Sequence, residues 1–531
     1  MKPGLITRYC PVNVLAGNAK PLIRKHYAPV VARTPFHSDG DVFDVTNPAT
    51  GAVLCSVTTP SASGVNQVIT DAHTIFKSGE WSRSPAHHRS SILSRLARAL
   101  EARVPEFAEI ETLQTGRAIR EMKAQLGRLP EWLEYYASLL RTRADYVAPT
   151  QGPLLNYVQR VPLGVVAQIT PFNHPLLIAI KKIAPALAAG NSVIVKPSEL
   201  APISVLEFGE MALDAGVPRG VLSVLPGFGA TTGKELISHP LIKKVDITAG
   251  TATGRAIGSI VGSNLAHYTA ELGGKAPIVV FDDADLAMAV NGAAFAAFVA
   301  SGQTCVSGTR IIVQARIYNA FMSAFLAKVE GILQRMGDPL NPQSSMGSII
   351  GSRQLQRIHA IVQGRASGCI LAGGEPLSGV SKLDGYNFSK GSFYPPTVIA
   401  DVDSSDQIWE EEIFGPIVVV KSFESEEEGI TLANNCKYGL GAGIWTKDLS
   451  RGHRVASRIE AGLVWINTHH RNDPSSPWGG MKESGIGREN GLEAFEAYSE
   501  SKSIIVNIAS PEDARQRDDW FAEEAAGKRY G

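Results

Sequence analysis

The chain has 531 residues, a length at which two or three domains are expected in place of one growing core. Its 51 basic and 51 acidic side chains cancel, which leaves no long-range field for nucleic acid or an anionic membrane and points to a small-molecule partner. The five cysteines (Cys10, Cys55, Cys305, Cys369, Cys436) are scattered and form neither a disulfide framework nor a Cys/His cluster, and no apolar run reaches bilayer length. A reducing, cytoplasmic setting without a bound metal is expected.

Residues 1–38 contain no Asp or Glu and carry Lys2, Arg8, Lys20, Arg24, Lys25 and Arg33, a transit-like composition that makes organelle targeting the minority alternative. Pro3, Pro11, Pro21, Pro29 and Pro35 interrupt any long amphipathic helix, so an irregular arm is expected. From Asp41 the pattern predicts a strand, an Asn47-Pro48/Thr50-Gly51 turn and a second strand over 53–57. Apolar residues at three- and four-residue spacing predict helices over 61–79, 85–103 and 117–144. Alternation then returns over 145–161, as a strand pair projecting from the body.

The near-continuous apolar stretch Val165 to Thr170 reads as a strand buried in a parallel sheet, and it empties into Pro171-Phe172-Asn173-His174-Pro175. A helix over 176–189, a strand over 192–195, a helix over 202–215 and a strand over 222–225 complete a β-α-β-α-β run, the pattern of a doubly wound sheet. Ligands bind at the carboxyl ends of such strands, so Asn173 is a site candidate by position. The loop from Pro226 through Gly229 to Gly233 is one residue too long for a dinucleotide fingerprint. A strand over 244–248 opens into Ala249-Gly250-Thr251, small residues at a helix start whose free N–H groups suit a pyrophosphate. The next strand ends at Glu271, and beyond 279 a second αβ pattern predicts a second α/β domain.

Cys305 lies in Ser301-Gly302-Gln303-Thr304-Cys305-Val306-Ser307-Gly308, between an Ala-rich helix and the strand Ile311-Ile312-Val313. A lone cysteine is more often a small buried residue than a reagent. Here, glycines on both sides let the backbone bend and approach a ligand, which suits a thiolate nucleophile.

Pro171-Phe172-Asn173, Lys196-Pro197-Ser198-Glu199, Glu271-Leu272-Gly273-Gly274-Lys275, Gly302-Gln303-Thr304-Cys305, Glu411-Glu412-Ile413-Phe414-Gly415-Pro416 and Pro477-Trp478-Gly479-Gly480 together resemble the aldehyde dehydrogenase superfamily. They occur in that family's order, and the resemblance covers about Asp41 to Asn507. It implies an α/β protein of two Rossmann-like doubly wound domains plus a small β oligomerisation arm. The implied division is an N-terminal arm (1–38), an NAD-binding domain (39–144 with 165–278), a catalytic domain (279–490), oligomerisation strands (145–164 with 491–508) and a tail (509–531). A homodimer or homotetramer is implied as well.

The resemblance also implies roles. Cys305 would attack a small-molecule aldehyde, Asn173 would stabilise the oxyanion, and Glu271 would activate water to hydrolyse the thioester. NAD would be held by Thr170, Phe172, Lys196, Glu199, Gly229, Gly250, Thr251, Leu272, Glu412 and Phe414. A carboxylate at Glu199 repels a 2′-phosphate, so NAD is expected over NADP. Ala249 and Gly250 depart from the family's usual residues at the pyrophosphate. His174, Lys181, Thr304, Val306, His470, Asn472 and Trp478 match the substrate tunnel, with His469 and Arg471 beside them. This basic set predicts a polar or anionic, semialdehyde-like substrate and penalises a trimethylammonium aldehyde; an aromatic or simple aliphatic aldehyde is the alternative. A CoA-acylating enzyme is disfavoured by Glu271, and a catalytically silent relative by the pair Cys305 and Glu271.

Overall fold

The computed structural model of the protein describes residues 21–32, 40–519 and 521. The first of its two large sheets has six strands in the order Gly485–Ile486, His267–Glu271, Ile242–Thr248, Val165–Ile169, Ser192–Lys196 and Leu222–Val224. The last five pair in parallel, and Gly485–Ile486 joins the edge antiparallel. Helices cover both faces. Val166 and Val193 pack toward Pro175–Ala189 and Ile203–Asp214, while Val165 and Ile194 pack toward Ala62–Ser78 and Thr251–Ser263. Burial on two faces explains why these strands read as unbroken apolar runs.

The second sheet has seven strands in the order Cys369–Ala372, Thr397–Ala400, Ile417–Phe423, Arg310–Gln314, Pro277–Val280, Gly441–Trp445 and Leu463–Ile466. All its pairings are parallel except the first. Separately, Ser499–Asn507 pairs antiparallel with Leu154–Pro162 along its whole length, and Leu154–Pro162 pairs with Tyr146–Ala148. The strand pair expected over 145–161 is thus completed by a strand from the far end of the chain.

Local sequence explains where the elements stop. The Ser61 hydroxyl caps its helix by accepting from Gly64 N–H, and Gly79 ends the helix in the left-handed region at φ 86°. The helix expected over 85–103 continues to Thr115, ending at Gly116 with φ 74°. The single helix expected over 117–144 is two, Ile119–Leu126 and Pro130–Thr142, because Gly127 and Pro130 interrupt it. Part of the N-terminal arm is ordered: His26–Tyr27 pairs with Val53–Thr58, which with Val42–Thr46 forms a small separate sheet, Val30 exchanges hydrogen bonds with Val224 of the first large sheet, and Arg24 bridges Glu207 and Glu210. Residues 1–20 and 33–38 of that arm lie outside the described residues. Among the described residues, no helix is long and apolar enough to cross a membrane.

Candidate active site

Cys305 is presented by a backbone that leaves helical geometry abruptly. The helix Leu286–Phe298 begins at Asp285, whose carboxylate accepts from Met288 N–H, and is followed by Ala300 (φ 55°), Ser301 (φ 55°) and Gly302 (φ 69°), all left-handed. Two non-glycine residues in that region cost roughly 1–3 kcal/mol each, so the surroundings must hold them. Glu121 accepts from Ala300 N–H at 3.2 Å, Ser301 Oγ donates to Gly347 O at 2.9 Å, and Gln303 Oε1 accepts from Ile350 N–H at 3.0 Å. A Cβ at Gly302 would stand 2.1 Å from Gly415 O, and one at Gly274 would stand 2.2 Å from Cys305 O. Both glycines are therefore required for the backbone to close on the cysteine. Burial, then the Glu412 and Glu271 carboxylates, push the Cys305 thiol up to about 12, with Lys181 opposing them. The resting sulfur holds its proton.

Asn173, at the carboxyl end of Val165–Ile169, donates from Nδ2 to Gln303 O at 2.8 Å and so lies against the chain two residues before Cys305. Glu271, the last residue of His267–Glu271, is buried, and neither carboxylate oxygen has a partner. Burial and the Glu489 charge raise its pKa well above the ordinary carboxylate range, against Lys181 and Lys182. Gly479 leaves space beside it, since a Cβ there would approach Glu271 Oε1 to 2.8 Å.

A cavity of about 470 Å³ opens onto Cys305 from the carboxyl ends of the first sheet's strands. Thr170, Phe172, Lys196, Glu199, Gly250, Leu272, Glu412 and Phe414, all expected cofactor residues, line it. The Lys196 ammonium donates to Pro197 O and stands 3.6 Å from the half-exposed Glu199 carboxylate. Gly250 caps the helix Thr251–Ser263, and a Cβ there would meet nothing within 4 Å. Glu412, pushed up to about 7 by burial, accepts from Gly274 N–H at 3.0 Å, and Phe172 meets Phe414 edge to face at 5.7 Å. An open helix N-terminus, a carboxylate suited to ribose hydroxyls and a flat apolar pair beside the thiol fit a nicotinamide dinucleotide. Gly229 begins a short turn of helix outside this cavity, and Thr251 also stands outside it, donating to Glu483 O.

On the aldehyde side the structure corrects the expected basic cluster. Lys181 is buried and pairs with Glu489 at 2.6 Å, and its ammonium sits 4.6 Å from the Trp478 ring centroid. Lys182 pairs with Asp246 and Glu489. Two cations thus face two carboxylates, so neither Lys181 nor Lys182 is left as a free charge for an anionic substrate. Burial drives His470 down to about 3 and His469 to about 4, so both rings are neutral, and Arg471 is exposed. His469 Nε2 donates to Val306 O at 2.8 Å and steadies the chain just after the cysteine.

Of the seven expected tunnel residues, His174 lines the cavity with Cys305. Val306 and Trp478 pack with Cys305, Leu440 and Trp465 in an apolar cluster, while Thr304 is buried beside the cysteine in sequence. Asn472 and Trp478 line a second cavity of about 540 Å³ with Trp465 and Arg471. His470 stands 6.2 Å from His174 and 6.0 Å from Trp478, ring centre to ring centre. Sequence reasoning missed Arg117, Glu121, Lys182, Trp465 and Glu489. Glu489 follows Gly487-Arg488, and Arg117 follows the helix-ending Gly116, but only the fold brings them here.

Known proteins are similar to this chain over most of its length. The aldehyde dehydrogenase family model matches residues 36–504. A Burkholderia cenocepacia structure assigned as an aldehyde dehydrogenase is 40% identical, covering 88% of this chain and 94% of its own, with a TM-score of 0.84. Betaine aldehyde dehydrogenase from Staphylococcus aureus, solved with NAD+, is 34% identical over 91% of this chain and 94% of its own, with a TM-score of 0.86. PnpE from Pseudomonas sp. WBC-3 is 38% identical over 88% and 95%, with a TM-score of 0.84, and has also been solved with nicotinamide adenine dinucleotide.

Proposed function

The chain belongs to the aldehyde dehydrogenase family, and from that premise we propose that it oxidises a small, polar but uncharged aldehyde to the carboxylate, with NAD preferred over NADP. The observation that carries the chemistry is the unpartnered, buried Glu271 carboxyl acting on the same thiol that Asn173 lies beside. NAD, when bound, supplies the hydride acceptor. Cys305 gives up its proton to water in the open cleft and adds through Sγ to the aldehyde carbon. The Asn173 amide and the Cys305 backbone N–H stabilise the oxyanion, at about 3 kcal/mol per donor. Once the carbon is oxidised to the thioester, Glu271 takes a proton from the attacking water and the carboxylate leaves, returning Cys305. Lys196 and Glu199 would hold the adenosine ribose, Gly250 and the helix after it the pyrophosphate, and Glu412 with Phe414 the nicotinamide end.

The uncharged substrate follows from compensation. Lys181 is neutralised by Glu489, so a substrate carboxylate would find no unpaired ammonium at that position. The ammonium of Lys181 already lies 4.6 Å from the centroid of the Trp478 ring, and a second cation brought to that ring would be repelled, which disfavours the aldehyde named for the Staphylococcus aureus relative. The test is kcat/KM with NAD and NADP for hydroxy- and alkoxyaldehydes against succinic semialdehyde and betaine aldehyde. The neutral oxygenated compounds are expected to lead with NAD; preference for either charged aldehyde would overturn the reading.

We read 39–144 with 165–278 as the NAD-binding domain, 279–490 as the catalytic domain and the sheet of 145–164 with 491–508 as an oligomerisation arm. Tyr146, Val147, Ile505 and Ile508 are each about 60% or more exposed on that arm, an apolar surface that a dimer or tetramer would cover.

A further inference from the structure

We propose that Arg117 is a positioning residue that locks His174 in the form carrying its proton on Nε2, making the ring a hydrogen-bond donor that selects aldehydes bearing an oxygen acceptor beyond the carbonyl. The inference rests on the aldehyde oxidation proposed above and adds the feature of the substrate that is read.

Arg117 is buried, and its Nε pairs with Glu121 at 3.3 Å. Its Nη1 lies 2.7 Å from His174 Nδ1, 3.2 Å from Asn173 O and 3.0 Å from Gln125 Oε1. A guanidinium has donors and no acceptor, so His174 Nδ1 must be the acceptor in that contact. Gln125 turns both ends of its amide to the same Nδ1, its oxygen at 3.2 Å and its nitrogen at 2.9 Å; the oxygen accepts from Arg117 Nη1 at 3.0 Å, so the nearer nitrogen is a second donor to Nδ1. Two donors converging on Nδ1 leave no room for a proton there.

The ring is also uncharged. Burial, then Arg117, His470 and Lys181, lower its pKa well below the usual histidine value, and no carboxylate bonds to the ring. A neutral imidazole with a bare Nδ1 carries its hydrogen on Nε2. That atom is buried and has no partner. An unmet buried N–H is costly, and this one belongs to a residue that lines the cavity with Cys305 and follows Asn173 directly. A substrate oxygen would satisfy it; a methylene in its place would leave it stranded. Sites built this way discriminate against the analogue lacking the acceptor more sharply than apolar walls do.

Matched aldehydes differing by one oxygen for one methylene test this: methoxyacetaldehyde against butanal, and 3-methoxypropanal against pentanal. The wild-type enzyme is expected to favour the ether in at least one pair by about tenfold in kcat/KM. His174→Phe should bring that ratio close to one, and His174→Gln, which keeps an N–H donor, should restore part of it. An unchanged ratio in His174→Phe overturns the proposal. Long-range proton–nitrogen NMR on the wild-type protein gives a readout independent of turnover. The histidine signal absent from both variants should show a protonated Nε2 and a bare Nδ1; the opposite form overturns the proposal whatever the kinetics. Failure of the wild-type enzyme to oxidise any of the four aldehydes with NAD would instead count against the dehydrogenase reading, leaving the NMR result to decide the role of Arg117.

Discussion

The two sides of Cys305 are built on opposite principles. Toward the cofactor cleft the surface is open: Glu199 is half exposed, Gly250 faces empty space, and the Glu412 carboxylate is held by one backbone N–H. Toward the aldehyde the walls are closed and the buried ammonium and guanidinium groups are matched, Lys181 and Lys182 against Glu489 and Asp246 and Arg117 against Glu121, while the exposed Arg471 lines the outer cavity. An open face can bind a large, charged cofactor through groups already solvated. A closed face must pre-compensate each charge, because removing an ion from water costs several kcal/mol unless it is paired. Charge count alone therefore says little about which substrate the closed face accepts.

The contrast can be broken most severely at Glu489. Against burial, Lys181 and Lys182 hold its pKa down to about 2, so Glu489→Gln would leave two buried ammonium groups facing Asp246 alone. A loss of roughly 3–5 kcal/mol in stability is expected by denaturant titration; a loss below about 1 kcal/mol would show that the network is not a closed, compensated unit. Asn173→Ala removes one oxyanion donor and should lower kcat by roughly a hundred- to a thousandfold while NAD binding persists, checked by steady-state kinetics and fluorescence titration. On the open side the effects should be smaller. Glu199→Gln removes the charge that repels a 2′-phosphate, and the NAD-to-NADP ratio of kcat/KM should fall by about tenfold.

What could be read from sequence divides along the same line. Asn173, Glu199, Gly250, Glu271, Glu412 and Cys305 sit at strand ends, helix starts or glycine-rich turns, positions that local sequence makes visible, while the roles given to them come from the family resemblance. The strands and most helices were legible for the same reason, and the split between Ile119–Leu126 and Pro130–Thr142 could have been anticipated at Gly127 and Pro130. The aldehyde side was misread because its meaning is long-range. Lys181 looked like a free cation until the fold placed Glu489 against it, and His174 looked basic until Arg117 and burial made it neutral. No periodicity links these partners, so only the tertiary structure shows the compensation.

The central claim is that Cys305 forms a thioester which Glu271 resolves. As a base Glu271 works deprotonated, and its pKa lies above the ordinary carboxylate range, so thioester hydrolysis should slow as pH falls through that raised value. Glu271→Gln should remove this dependence and slow turnover by roughly a hundred- to ten-thousandfold. The most direct measurement is rapid mixing of Glu271→Gln with NAD and aldehyde, followed by intact-mass analysis of the quenched protein. The account predicts a burst of one NADH per site and an acyl group on Cys305. Absence of the burst together with an unmodified Cys305 would contradict it.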